Sequence, residues 1–367
     1  MKPYFLLLIT MLFTACASAE PAKRVLMILS GHGQQQGEQR PGYEFEEFAK
    51  AYLVFEQNGV NVDIATPTGG NVEPDEYNPG EPYNQKVLAN NEIMHKLENS
   101  LPTSEVTASR YDGVFVVGGK GAMFDLPFDK ALQQLIADIY EHNGAIAAVC
   151  HGPAALVNVK LNNGSYLVAG KAVNGFTNEE EALFGKKWAK EFSFMLEDKL
   201  TERGGKFQSS DIMLAHVVAD NRLITGQNPT STVPVAVELV KALGLTPVAT
   251  EQYKGDKTLE RVARMLNGDY NAVKDITSMP QDYQMELVGM YGYYYLLKSK
   301  TEQDYKNALM LMNLARSAIN NPRLDMQIAT AYKNLGDNQS AAVTLNQILA
   351  SEPDFEPATD MLKNLSL

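Results

Sequence analysis

Short apolar runs at strand length recur between Arg24 and Thr246: Val25 to Leu29, Val60 to Ala65, Gly113 to Val117, Ala145 to Val149 and Leu223 to Thr225. Read as continuous rather than alternating, they are what strands buried on both faces require. Amphipathic segments separate them. Between the third and fourth runs, Leu132, Leu135, Ile136, Ile139 and Tyr140 keep helical spacing, and Gly144 stands where a helix stops. Strand and helix in alternation predict an α/β fold over residues 24–246, with a mostly parallel sheet sandwiched by helices.

After Gly244 the strand-like runs thin out, and residues 256–367 read as helical segments with short polar breaks. The chain, at 367 residues, is long enough for this second, smaller all-α unit. Its last third resembles a tetratricopeptide repeat, with Ile328, Ala329, Tyr332, Gly336, Ala341, Leu345, Ile348 and Pro353 at the offsets of that repeat. A plain bundle of helical hairpins is the alternative. In either form, stacked helix pairs offer a face for a protein partner or for self-association.

Residues 1–19 read as a secretory signal peptide: Lys2, an apolar run from Tyr4 to Phe13, and the small-residue site Ala17-Ser18-Ala19. The run is too short for a transmembrane segment. The expected location is therefore exported, periplasmic. Phe13-Thr14-Ala15-Cys16 offers a competing reading, a lipoprotein box with a lipid anchor at Cys16. The sequence holds two cysteines, so cleavage after Ala19 would leave Cys150 as the sole thiol of the mature chain. A formal net charge of -12 and the lack of any Lys/Arg-rich block exclude a nucleic-acid binder, which needs a clustered basic surface.

Cys150 stands where an apolar strand gives way to a turn and a helix start, in Ala145-Ile-Ala-Ala-Val-Cys-His-Gly-Pro-Ala-Ala-Leu156. Such a strand-turn-helix junction projects the side chain beyond the sheet, as in a nucleophile elbow. Pro153 suits a first helical turn, and the free N–H groups of a helix start are expected to favour thiolate over thiol. A second glycine turn, Val117-Gly-Gly-Lys-Gly121, emerges at the same carboxyl edge of a parallel sheet and is a candidate oxyanion donor. The remaining histidines, His32, His95, His142 and His216, lack metal-ligand spacing, so no metal or other cofactor is expected.

These segments resemble the ThiJ/PfpI superfamily, cysteine-dependent relatives of class I glutamine amidotransferases, and within it the heat-shock glyoxalase and chaperone branch. The resemblance rests on six segments in order, covering about residues 24 to 245. They are Pro41-Gly-Tyr-Glu-Phe-Glu-Glu-Phe48, Val62-Asp-Ile-Ala-Thr-Pro-Thr-Gly-Gly70, Val117-Gly-Gly-Lys-Gly-Ala-Met-Phe-Asp125, Ala148-Val-Cys-His-Gly-Pro153, Gly175-Phe-Thr-Asn-Glu-Glu-Glu181 and Leu223-Ile-Thr-Gly-Gln-Asn-Pro229. It implies a flavodoxin-like sheet, Cys150 as nucleophile and His151 beside it. It also implies Glu47 as the acid on the sulfur, Glu181 (or Glu180) orienting the histidine, and backbone amides of Gly119 and His151 as oxyanion donors. Lys120 stands where many relatives carry His, exchanging a group that donates or accepts for an ammonium that only donates.

The activity this implies is a cofactor-independent glyoxalase III-type reaction, a D-lactate dehydratase of the lyase class. A small aldehyde such as methylglyoxal would become lactate through a Cys150 hemithioacetal. Two alternatives stand beside it. One is an exported chaperone or redox-sensing scaffold using Cys150 as an oxidisable thiol and the helical tail for a partner; the other is a cysteine peptidase or amidase. Glutamine amidotransfer fits less well, because no downstream His-x-Glu follows Cys150.

Overall fold

The computed structural model describes residues 22–185, 187–269 and 271–365. Residues 1–19, expected to be a signal peptide, and Cys16 among them, lie outside the described residues. In chain order the first part comprises β1 (Arg24–Ile28), α1 (Phe45–Gln57), β2 (Asn61–Thr66), α2 (Pro82–Leu88), α3 (Asn91–Glu98), β3 (Leu101–Pro102), β4 (Gly113–Val116), α4 (Lys130–Glu141) and β5 (Ala145–Val149). Then follow β6 (Ala172–Val173), α5 (Asn178–Phe184), α6 (Leu196–Glu202), β7 (Lys206–Phe207), β8 (Val217–Asp220), β9 (Leu223–Gly226) and α7 (Thr232–Ala242).

Seven strands form one sheet in the order β3-β2-β1-β4-β5-β9-β8, parallel except for β8, which runs antiparallel to β9. The expected mostly parallel sheet with helices is the architecture observed. Its centre is dry: Leu26, Ile28, Val114, Phe115, Ile146 and Ala148 are fully buried. Each large apolar side chain hidden this way contributes about 1.5–3 kcal/mol. The helix α7 packs on β5 and β9 and against α1, while α4 packs on β4 and β5.

Two differences from the expected strands have a physical reason. β2 opens with Asn61 exposed and Asp63 half-buried, because its outer neighbour β3 pairs with it only at Ala65 and Thr66. It is continuous only where it is covered. The edge strands β3 and β8 were not expected, since two residues or a half-solvated run such as Val-Val-Ala-Asp leaves no apolar signature.

The second part is helical throughout its described residues: α8 (Lys254–Leu266), α9 (Asn271–Ser278), α10 (Met285–Lys298), α11 (Glu302–Ile319), α12 (Pro322–Asn334), α13 (Asn338–Ser351) and α14 (Glu356–Lys363). Ile328, Ala329, Ala341, Leu345 and Ile348 are buried in the α12–α13 pair, and Gly336 supplies the left-handed turn between the two helices at φ +78°. Among the described residues no helix is long and apolar enough to cross a membrane. The core of this part also takes in Ile212 and Leu214, which precede β8. The apolar surfaces of the two parts are therefore shared.

The end of α4 depends on a distant residue. Arg222 donates to the carbonyls of Tyr140 at 2.6 Å and Gly144 at 2.5 Å, and its guanidinium lies 4.3 Å from the Tyr140 ring centroid. A cation at the negative end of a helix is favourable. Arg222→Ala is expected to lower stability by about 1–2 kcal/mol, read as a fall in the denaturant midpoint at unchanged slope.

Candidate active site

The strands β1, β4, β5 and β9 end at one edge of the sheet, and the chemistry collects there. Cys150 follows β5 directly with φ +59°, a left-handed backbone that a non-glycine residue adopts only under constraint. The constraint is on both sides of the residue. Its N–H donates to the Gly226 carbonyl at 2.9 Å, and its own carbonyl accepts from Phe176 N–H at 2.8 Å. The expected sharp turn is present. The expected α-helix after it is not: Gly152–Leu156 forms a five-residue 3-10 segment. So short a segment offers little macrodipole to a thiolate.

The loop after β4 closes one wall. A side chain at Gly118 would put its Cβ 2.7 Å from both the Cys150 Cβ and Glu47 Oε2, so glycine alone lets the three residues meet. Gly118 N–H donates to Glu47 Oε2 at 2.7 Å. Glu47 Oε1 is buried with no nitrogen or oxygen partner, and the remaining interaction of this carboxyl is with the Cys150 sulfur. Glu47 comes from the first turn of α1, whose other acidic residues lie nearer solvent.

Burial, then the charge of Glu44, pushes the Glu47 carboxyl well above the usual range. Cys150 is also pushed up, chiefly by burial and next by Glu47, while Lys120 opposes the shift. Burial thus works against the thiolate expected from a helix start. Ionising both groups would set two negative charges side by side in a dry pocket. Charge on either group therefore raises the cost of charge on the other.

His151 Nδ1 lies 3.4 Å from Cys150 Sγ, and its Nε2 lies 2.8 Å from Glu181 Oε2. All three side chains are at most 5% exposed. With the carboxylate on Nε2, that nitrogen carries the hydrogen and Nδ1 presents its lone pair to the sulfur. Of the two glutamates left open by the sequence, Glu181 is the one in contact. Glu180 faces the other way, accepting from Thr177 N–H and Oγ1, Met213 N–H, Gln227 Nε2 and Asn228 Nδ2.

Gly119 has φ +96° and packs under the backbone of Gly42 to Glu44. Among the described residues neither its N–H nor that of His151 donates a hydrogen bond, which leaves two free donors on the segments that follow β4 and β5. Lys120 is half-buried, forms no ion pair among the described residues, and acts on both Cys150 and Glu44 through its charge. Sequence reasoning overlooked three neighbours. Glu44, capping α1, is a second raised carboxyl, at about 7. Phe176 and Phe192 hold the His151 ring at centroid distances of 4.5 and 6.0 Å. Ring contacts between loops distant in sequence leave no pattern to read.

A family model described as the DJ-1/PfpI family matches residues 39–242. The chain belongs to the DJ-1/PfpI family. The glutathione-independent glyoxalase HSP31 of Saccharomyces cerevisiae is 30% identical over 249 residues, covering 60% of this chain and 98% of that protein. Glyoxalase 3 of Candida albicans is 29% identical over 231 residues, with 60% and 98% covered. Among solved structures, glyoxalase III from Candida albicans aligns with a TM-score of 0.56 at 27% identity, over 60% of this chain and 97% of that one. The Rapid Encystment Protein 24 KDa of Francisella tularensis aligns at 0.57 and 34%, over 60% and 99%. The α/β part of this DJ-1/PfpI member thus spans nearly the whole of these relatives, and α8 to α14 lie beyond the matched family region.

One carboxyl ties the loops of this edge together. Asp125 Oδ2 accepts from Gly31 N–H at 2.8 Å and Ser30 Oγ at 3.1 Å, and burial pushes its carboxyl from 3.8 up to about 7. A folded value above the unfolded one means that its stabilising contribution is full below pH 4 and lost as pH rises through 7. Asp125→Asn is uncharged throughout this range. It is expected to reduce the stability lost between pH 5 and pH 8 by about 1–3 kcal/mol, measured by denaturant titration at the two pH values.

Proposed function

We propose that this protein is a cofactor-independent glyoxalase acting on small 2-oxoaldehydes, methylglyoxal being the simplest methyl-bearing case. The observation that carries the reading is the buried grouping of the Cys150 thiol with a proton-retaining Glu47 carboxyl on one side and the His151–Glu181 pair on the other. The names of the relatives support it. The chemistry needs a sulfur nucleophile, a group that takes a proton from one carbon and returns it to the next, and donors for an oxyanion.

In this reading His151 Nδ1 takes the thiol proton while Glu181 balances the imidazolium. The sulfur adds to the aldehyde carbon, and the carbonyl oxygen, turned toward the N–H groups of Gly119 and His151, becomes the hydroxyl of a hemithioacetal. Glu47 gives its proton to that oxygen and, now a carboxylate, removes the hydrogen on that carbon. The electron pair moves through an enediol, and the proton returns on the adjacent carbon. The first carbon is thereby oxidised to a thioester and the second reduced to an alcohol, with no external oxidant. Water then splits the thioester, releasing lactate and the thiol. Lys120, at the rim, can donate to the substrate's second oxygen.

Glu47→Gln is expected to lower kcat for methylglyoxal by about 100-fold to 10,000-fold, the range for removal of a positioned acid–base group, with KM little changed. Cys150→Ala should abolish turnover, followed as aldehyde loss and lactate formation. Wild-type protein that leaves methylglyoxal untouched, or a Cys150→Ala protein as active as wild type, refutes the reading.

A further inference from the structure

The helix α5 carries Glu181, and its far end is held by the helical part of the chain. Phe184, the last residue of α5, meets Tyr294 of α10 with ring centroids 4.7 Å apart. One residue before Phe184, Leu183 packs against the same helical core. A second tether runs through the turn 211–214. Ile212 and Leu214 are buried in that core, and Asp211 pairs with Lys298 at the end of α10.

Between them stands Met213, with φ +54°, a left-handed conformation that costs a non-glycine residue about 1–3 kcal/mol unless its surroundings enforce it. The surroundings here are explicit. Met213 N–H donates to Glu180 Oε1 at 2.7 Å, its carbonyl accepts from Thr230 Oγ1 at 2.8 Å, and its side chain packs against both cores. Glu180 is fully buried and adjacent to Glu181 on the same helical turn. Helical part, strained turn, Glu180 and α5 therefore form one continuous chain of contacts, ending at the 2.8 Å contact of Glu181 with His151.

We propose that the helical part is a positioning element of the Cys150 site: Tyr294 and Met213 fix α5 so that Glu181 holds His151 Nδ1 toward the sulfur. Tyr294 and Met213 touch none of the reacting groups and act through Glu180 and Glu181. The proposal rests on reading Cys150, His151 and Glu181 as one reacting unit. It is independent of which aldehyde is turned over. Loosening α5 frees the imidazole to turn, so the thiol loses its proton acceptor at a given pH while the pocket that receives substrate keeps its walls.

The test uses the full chain and two readouts. One is alkylation of Cys150 by iodoacetamide from pH 5 to 9, scored by mass on the Cys150 peptide; the other is kcat and KM for methylglyoxal. Tyr294→Ala is expected to slow alkylation at neutral pH about threefold, to move its pH midpoint upward, and to lower kcat about fivefold with KM within about twofold, the scale of coupling through packed networks. Tyr294→Phe, which keeps the ring against Phe184, restores wild-type values. Leu297→Ala, on an exposed residue of the same helix, leaves both readouts unchanged. Should Tyr294→Ala fail to fold, Met213→Gly, which tolerates the left-handed backbone, replaces it with the same expectation. Alkylation and turnover equal to wild type in the folded variant overturn the proposal. Wild-type protein inert toward methylglyoxal defeats the glyoxalase reading instead, and the alkylation arm still decides the positioning role.

Discussion

A left-handed backbone at Cys150 persists because the sheet around it leaves no alternative. β9 takes its N–H through Gly226, the segment before α5 occupies its carbonyl through Phe176, and the β4 loop abuts its Cβ at Gly118. Relaxing the residue would break two buried hydrogen bonds, a larger cost than the strain itself. With the turn fixed, the sulfur is held between the first turn of α1 and the His151 ring, and every other feature of the site is arranged about that point. The parallel order of β1, β4, β5 and β9 makes this possible by ending all four strands at one edge.

Burial sets the electrostatics. In water, Glu47 would ionise and Cys150 would remain a thiol. Inside this edge both are pushed upward, by burial first and then by neighbouring carboxyl charge. The base that can draw the thiol proton away is already in place, with His151 Nδ1 3.4 Å from the sulfur. Lys120 lowers the cost of charge on the sulfur, and the free N–H groups of Gly119 and His151 stand at the ends of β4 and β5. The two N–H groups are oriented by the backbone, whereas Lys120 acts through its charge alone.

The helical part is more than an appendage in its packing. Its core includes residues of the turn before β8, and it touches the helix that bears Glu181. A two-part division at residues 246 to 256 follows the change of texture along the chain, whereas apolar burial runs across it. The strained Met213 lies at that junction, where both cores press on one residue.

The sequence by itself determined the sheet core, the sharp turn at Cys150 and the helical character of the tail, because each is written in local periodicity: apolar runs, a strand meeting Cys-His-Gly-Pro, and amphipathic spacing. The short edge strands escaped it, having too few residues for a period. Tertiary structure alone decided that burial pushes the Cys150 thiol upward, against the helix start that the local pattern suggested. It also separated Glu181 from Glu180. The two are neighbours in sequence, yet a helix turns successive side chains about 100° apart, so that one meets His151 while the other anchors the turn at Met213. Which side of α5 faces the sulfur depends on contacts between residues dozens of positions apart, and no local pattern records those.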